Sequence, residues 1–334
     1  MLSEVIDFDA HVWLLTDPVT MVGTAPLAEV PCIGELPALV KAKYATPINR
    51  WTVLARQVSR ARLLTESVSG DLASSRVWRE VMSRYGIGDV ASAVFADQYG
   101  CWGFLDLWRE SASAPFDAAD AELLASLAAP LATALRQCQA RTFAGPAGAR
   151  RHDVGPVVLT LDEDLLITSR TAASQAWLDV LLPPEPAQRA IPASVYNVAA
   201  QLLAAEEGID DHPAFARTHL ADGFWLTIRA ARLAADETTA HGGHAALVVT
   251  IEETSGADRR DVFSRAFGFT PRESELLNLL ATGSDTRAMA RLMSLSELTV
   301  QDHLKSIFAK TGARDRVALL SRALGSIAEG QARR

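Results

Sequence analysis

Cysteine is scarce in this chain. There are three in 334 residues, Cys32, Cys101 and Cys138, far apart and in neither a CxxC nor a Cys/His ligand spacing. An odd count distributed in this way excludes a disulfide-stapled scaffold, and the three are expected as reduced thiols in core or semi-buried positions. The seven histidines form no ligand triad. Their one close pair, His241-Gly242-Gly243-His244, lies in a loop where solvated imidazoles are the default, so neither a metal nor a cofactor is expected. GxSxG, the Walker lysine loop, the Rossmann glycine set and HExxH are missing too, so the sequence carries no expectation of an enzyme. The longest apolar stretches, such as residues 123–135, stop short of the roughly 18 to 20 apolar residues that span a bilayer, so no membrane helix is expected. The N-terminus, Met1-Leu2-Ser3-Glu4-Val5-Ile6-Asp7, lacks the basic region and small-residue cleavage site of a secretory signal, and a cytoplasmic protein is expected. Because the chain starts close to its first strand, a trimmed opening helix or an upstream start stays open.

What the chain does contain is globular: 49% apolar and 22% charged residues, at a length that calls for two or three domains. Its charge is uneven. The net charge is −8, yet residues 262–334 hold 11 Lys/Arg against 7 Asp/Glu, leaving −12 for residues 1–261. An acidic body before a basic tail is the asymmetry expected of a nucleic-acid footprint, since phosphate neutralisation supplies most sequence-independent affinity.

Three segments follow from the periodicity. In residues 1–143, His11-Val12-Trp13-Leu14-Leu15-Thr16 and Met21-Val22-Gly23-Thr24 flank an Asp17-Pro18 turn and read as a hairpin. A second hairpin is expected across Asp97-Gln98-Tyr99-Gly100, between 91–95 and 101–108. A helix starts at Asp117 and repeats Leu123, Leu124, Leu127, Leu131 and Leu135 at helical spacing. After a Gly/Pro-rich linker at 144–150, residues 151–254 offer strands at 155–161, 165–168, 224–229 and 246–251. Helices are expected at 171–182 and 194–207, in all a small antiparallel sheet with helices on one face. Residues 262–330 are helical throughout.

The last segment is well punctuated. Thr270-Pro271-Arg272-Glu273 forms a capping box with proline in the first turn, and Gly283 suits a left-handed C-cap. Ser284-Asp285 opens a short helix, and Ser296 opens another running to Lys310, in which Val300, Leu304, Ile307 and Phe308 form a buried stripe. A fourth helix follows Asp315, with Val317, Leu320 and Leu324 on one face. Two short helices joined by a tight turn, the second amphipathic and polar at its start, present a recognition helix to the major groove.

This tail closely resembles the LuxR-type (GerE-like) helix-turn-helix domain, through Thr270-Pro271-Arg272-Glu273-Ser274-Glu275-Leu276-Leu277, Gly283, Ala290-Arg291-Leu292, Leu295-Ser296, Thr299-Val300, His303-Leu304, Ile307, Lys310 and Gly312. The resemblance puts Thr299, Gln301, Asp302 and Lys305 at groove-facing positions and Ser296 and Lys310 near phosphates. Gln301 stands where many members carry lysine, and Asp302 sets a negative charge near DNA. Glutamine can pair with adenine and aspartate can accept from cytosine, so the pair trades non-specific attraction for sequence choice.

The first segment resembles the GAF-like domain of actinobacterial LuxR-type regulators, and the second resembles a PAS-like domain. The fold class expected is multidomain α/β plus all-α: a GAF-like α/β sandwich, a PAS-like antiparallel sheet with helices, and a C-terminal four-helix helix-turn-helix domain. These resemblances imply a transcriptional regulator whose front domains sense a small effector or a protein partner, with double-stranded DNA and a second copy of the chain as partners. The alternative is a regulator controlled by protein contacts through ligand-free platforms. Trp78, Tyr85, Trp102 and Trp225 are the aromatics to inspect for an effector pocket, although strand aromatics are more often plain core.

Overall fold

The computed structural model describes residues 2–143, 157–174, 193–220, 224–233 and 246–325. The chain divides into two compact units, one of residues 1–133, 154–218 and 227–252, the other of residues 134–153, 219–226 and 253–334.

In the first unit, strands β1 (Ala10–Thr16), β2 (Gly23–Glu29), β3 (Ala61–Leu63), β4 (Ile87–Asp97) and β5 (Gly100–Glu110) form a sheet of order β2-β1-β5-β4-β3. All of its neighbours are antiparallel. Both expected hairpins are present. Central β5 is buried on both faces from Cys101 to Trp108 and therefore reads as an apolar run, broken by Asp106, rather than an alternation. The turn between β4 and β5 is closed by Asp97, whose Oδ1 accepts from the Tyr99 amide at 2.8 Å and from Trp102 Nε1 at 3.0 Å.

Short helices α1 (Leu36–Tyr44), α2 (Trp51–Leu54), α3 (Leu64–Ser67) and α4 (Arg76–Glu80) occupy the chain between β2 and β4, and α5 (Ala118–Arg141) follows β5. Asp117 starts α5 as expected, accepting from the Asp120 amide at 3.0 Å. By length and composition alone α5 meets the criterion for a membrane-spanning helix, a criterion that helices of water-soluble folds also meet. Its leucines are spaced by alanine, serine, threonine and proline, so no apolar run is long although the helix as a whole is apolar. Leu124, Ala128 and Ala132 are its buried face, and Arg109 lies 3.2 Å from Asp120 in its first turn.

A second sheet contains β6 (Val157–Leu161), β7 (Ile167–Arg170), β8 (Phe215–His219), β9 (Trp225–Arg232) and β10 (Leu247–Glu253) in the order β7-β6-β10-β9-β8, with helix α6 (Ala193–Glu206) between β7 and β8. Sequence reading foresees four of these strands and misses β8. Arg217 at the centre of β8 looks like a surface residue, but it is buried against Asp17, 200 positions away. The linker at 144–150, residues 175–182 of the expected helix, His241 and His244 lie outside the described residues.

Within the first unit the two sheet segments share buried polar contacts. Asp17 is fully buried and accepts from the amides of Val19, Thr20 and Arg217, and from Arg217 Nε at 2.7 Å and Nη2 at 2.9 Å. Arg50 donates to Asp210 at 2.6 Å, to Gln201 at 2.9 Å and to the Tyr44 carbonyl. Ser194 and Asn197 of α6 donate to the carbonyls of Thr24 and Gly23. Glycine at 23 leaves room for both neighbours, since a Cβ there would stand 2.8 Å from Asn197 Nδ2 of α6 and 2.2 Å from Leu14 Cδ2. Cys32 and Cys101 are buried as expected, their thiols pushed up to about 11 by burial, whereas Cys138 is exposed.

The second unit contains helices α7 (Gly256–Ala266), α8 (Pro271–Ala281), α9 (Thr286–Leu292), α10 (Glu297–Thr311) and α11 (Arg316–Leu324). Helix α7 precedes the expected boundary at 262 and adds one helix to the four foreseen. Ser255 caps it by accepting from the Asp258 amide, and it buries Val262 and Phe263. The core also takes Leu276, Leu277, Leu280, Met289, Val300, Leu304 and Ile307. Val317, expected on the apolar face of the last helix, is 66% exposed; the buried residues of α11 are Leu319 and Ala323.

Candidate nucleic-acid interface

The helix-turn-helix assembles from local signals. Thr270 Oγ1 accepts from the Glu273 amide while Glu273 returns a carboxylate oxygen to the Thr270 amide at 2.7 Å, which sets the start of α8. Gly283, at φ +82°, ends it in the left-handed conformation. Asp285 caps α9 through the Ala288 amide at 2.7 Å. The turn to α10 passes through Ser294, at φ +57°, and is closed by the Leu295 amide on the Ala290 carbonyl at 2.8 Å. Ser296 Oγ then accepts from the Thr299 amide at 3.1 Å, and Gly312, at φ +66°, terminates α10.

Glu273 does more than cap. It is buried, and its carboxylate also receives Ser306 Oγ at 2.6 Å and Lys310 Nζ at 2.6 Å, tying the start of α8 to the last turns of α10. Burial works against its ionisation, but the bonds from Lys310, Ser306 and the Thr270 amide outweigh it and hold the carboxyl at about 2. These contacts fix the angle at which α10 is presented.

Helix α10 buries Val300, Leu304, Ile307 and Thr311 and exposes Gln301, Asp302 and Lys305 together on its opposite side. Lys305 Nζ lies 3.1 Å from Asp302 Oδ1, so the two charges largely cancel. Thr299 is half-buried and its hydroxyl lies 2.8 Å from Ser296 Oγ at the cap. Lys310 is an exposed residue whose ammonium bonds Glu273 and the Gly268 carbonyl at 2.9 Å. Sequence reading passed over exposed Leu298 in the first turn of α10, and over exposed Arg287 and Arg291 one helical turn apart on α9. The signal for the arginines was their i, i+4 spacing, off the buried positions Met289 and Ala290.

Of the aromatics considered for an effector pocket, Trp78 and Tyr85 pack against one buried cluster of the first unit with Cys32, Met82, Ile87 and Trp108. Trp78 donates to the Ile87 carbonyl at 2.8 Å, Tyr85 to Glu35 at 2.8 Å, and Trp102 to Asp97. Trp225 stacks on Phe143 with centroids 5.0 Å apart. A cavity of about 60 Å³ lies elsewhere in the first unit, lined by Leu14, Leu39, Lys43, Phe104, Asp106 and Trp108 among others. Lys43 and Asp106 form an ion pair of 2.6 Å in its wall, and Trp108 Nε1 is buried with no hydrogen-bond partner among the described residues. Asp210, Asp211 and His212 gather at metal-ligand spacing. Asp210 is already filled by Arg50 Nε, Thr52 Oγ1, and the amide and Nδ1 of His212, which leaves a cation no vacant oxygen on Asp210 itself.

Residues 268–323 match the family described as bacterial regulatory proteins, luxR family, and form a LuxR-type helix-turn-helix domain. The probable HTH-type transcriptional regulator GfsR of Streptomyces halstedii is 37% identical over 75 residues, 22% of this chain and 31% of that protein. The chain thus matches about a third of the length of this curated relative. Among solved structures, Escherichia coli SdiA covers 98% of this chain and 88% of its own at 15% identity and a TM-score of 0.31. A Vibrio cholerae VqmA–ligand–DNA complex covers 53% of this chain and 86% of its own at 19% identity and a TM-score of 0.22. At scores this low neither likeness bears on the fold.

Proposed function

We propose that this chain is a sequence-specific DNA-binding transcriptional regulator. The observation that carries the reading is the exposed stripe of Gln301, Asp302 and Lys305 on α10 of the LuxR-type domain, opposite the buried stripe of Val300, Leu304 and Ile307. Gln301 and Asp302 read base edges. Arg287 and Arg291 add phosphate contacts that orient the helix, Ser296 and Lys310 stand near phosphates as well, and Thr299 faces the groove. Binding-site selection with the full chain tests the reading: a defined motif supports it, and recovery of random sequence removes it. Two copies are expected on two half-sites, with the half-exposed Leu123, Leu127, Leu131 and Leu135 of α5 as the contact surface; a footprint over one half-site alone rejects the dimer.

Because Asp302 cancels Lys305, the dependence of affinity on salt should be shallow. Asp302→Asn should strengthen binding to random DNA and steepen the log–log salt slope by about 0.9 per half-site, the release of about one more ion. An unchanged slope, read by fluorescence anisotropy across salt concentrations, would place Lys305 away from phosphate.

The first unit is read as GAF-like and PAS-like sensory domains acting on the helix-turn-helix. The unpartnered Trp108 N–H beside an apolar cavity supports a small effector bearing a hydrogen-bond acceptor. The volume, about 60 Å³, favours the second reading, control by a protein partner, since effector pockets usually exceed roughly 300 Å³. Thermal shift of the full chain against a metabolite panel separates them. A shift abolished in Trp108→Phe supports the effector, and no shift with a co-purifying protein supports the platform.

A further inference from the structure

The exposed side of α10 carries one residue whose chemistry does not suit a solvated helix. Leu298 is 66% exposed in the first turn. It precedes Gln301, Asp302 and Lys305 by three, four and seven residues, so all four lie along one stripe. The cap does not need it, because Ser296 Oγ bonds the Thr299 amide directly. The core does not use it either, since Val300, Leu304 and Ile307 fill the opposite side. A single exposed leucine on a protein surface is ordinary. This one continues a polar reading surface at its N-terminal end, the part of a recognition helix that reaches base edges. Among the groups displayed in the major groove, the C5-methyl of thymine is the apolar one, and apolar side chains recognise it by contact.

We propose that Leu298 is a specificity-determining residue that packs on the C5-methyl of one thymine in each half-site. The inference rests on reading α10 as the DNA-binding helix. Gln301 and Asp302 then read the polar edges beside that thymine.

Deoxyuridine lacks only this methyl group, so it isolates the contact. The full chain is used to select its preferred duplex, and each thymine is then replaced in turn by deoxyuridine. At one position per half-site the wild-type chain should bind about fourfold more weakly, the scale of one buried methyl. Leu298→Gln, which keeps a good helix former, should lose that sensitivity and relax its selected preference at the same position. Leu298→Met should retain both, and circular dichroism of each variant reports that the helices persist. A selected site without thymine, full-strength binding to every deoxyuridine duplex, or equal sensitivity in Leu298→Gln overturns the role of Leu298 while leaving DNA binding intact. Failure of the wild-type chain to select any sequence overturns the DNA-binding reading and this inference with it.

Discussion

Asp17→Asn is expected to destabilise the first unit by on the order of 4 kcal/mol, the scale seen when one partner of a buried ion pair is removed. Asp17 has no solvent exposure and the Arg217 side chain is 2% exposed, so water cannot replace the lost charge. Asparagine would also turn an NH2 group toward a site where every neighbour is a donor: two amides of its own turn, the Arg217 amide and two guanidinium nitrogens. Against a typical total stability of about 5 to 15 kcal/mol, such a loss should bring the urea midpoint down steeply. Equilibrium unfolding followed by tryptophan fluorescence reads it. Replacing both partners with apolar residues of similar volume should recover most of the loss, because the cost lies in the stranded charge. A single-variant loss under about 1 kcal/mol would be the behaviour of a surface pair and would reject a dry seam at Asp17.

Glu273→Gln is expected to cost the second unit on the order of 3 kcal/mol at neutral pH and to remove a pH dependence. The folded carboxyl sits at about 2 against an ordinary value of 4.5. A depressed value means that the ionised group favours the folded state, with its full contribution above pH 4.5 and a progressive loss as pH falls toward 2. Melting curves of wild type and variant should therefore differ most near neutrality and converge in acid. The difference between the two isolates Glu273 from the other carboxylates, including Asp210, which burial opposes but His212, Thr52 and Arg50 hold well below the usual carboxylate range. A gap that stays constant from pH 7 to pH 2 would mean that the lost term is packing rather than charge. Because the carboxylate ties the start of α8 to Ser306 and Lys310 of α10, DNA affinity should fall along with stability.

Most of the helix-turn-helix was legible in the sequence. Thr270 with Glu273, Asp285, Ser296 and Asp315 each cap a helix through a side-chain oxygen and an amide three residues on, so the signal and its consequence lie within one turn of chain. The stripe of Val300, Leu304 and Ile307 likewise reports its own burial through its spacing. Less was legible in the front of the chain. The hairpins of the first sheet were, because they pair neighbours across short turns, whereas β8 was not, because its central arginine is buried by a partner from β1's end of the chain. Of the four aromatics named as pocket candidates none lines the cavity, although Trp78 and Tyr85 pack against the cluster that holds Trp108. The cavity formed instead around Trp108, Lys43 and Asp106, whose proximity depends on how α1 meets β5.

The sequence by itself thus determined where the four helices from Thr270 onward begin, which side of α10 is apolar, and that its exposed side carries Gln301, Asp302 and Lys305. Only the tertiary structure decided what each charge is for. Lys310 bonds Glu273, Lys305 lies beside Asp302, and Arg217 and Asp17 pair inside the first unit. Caps and periodicity act over three or four residues and are written into the order of the chain. The state of a charge depends on desolvation and on partners as far away as 200 positions, which the order of residues does not bring together until the chain has folded.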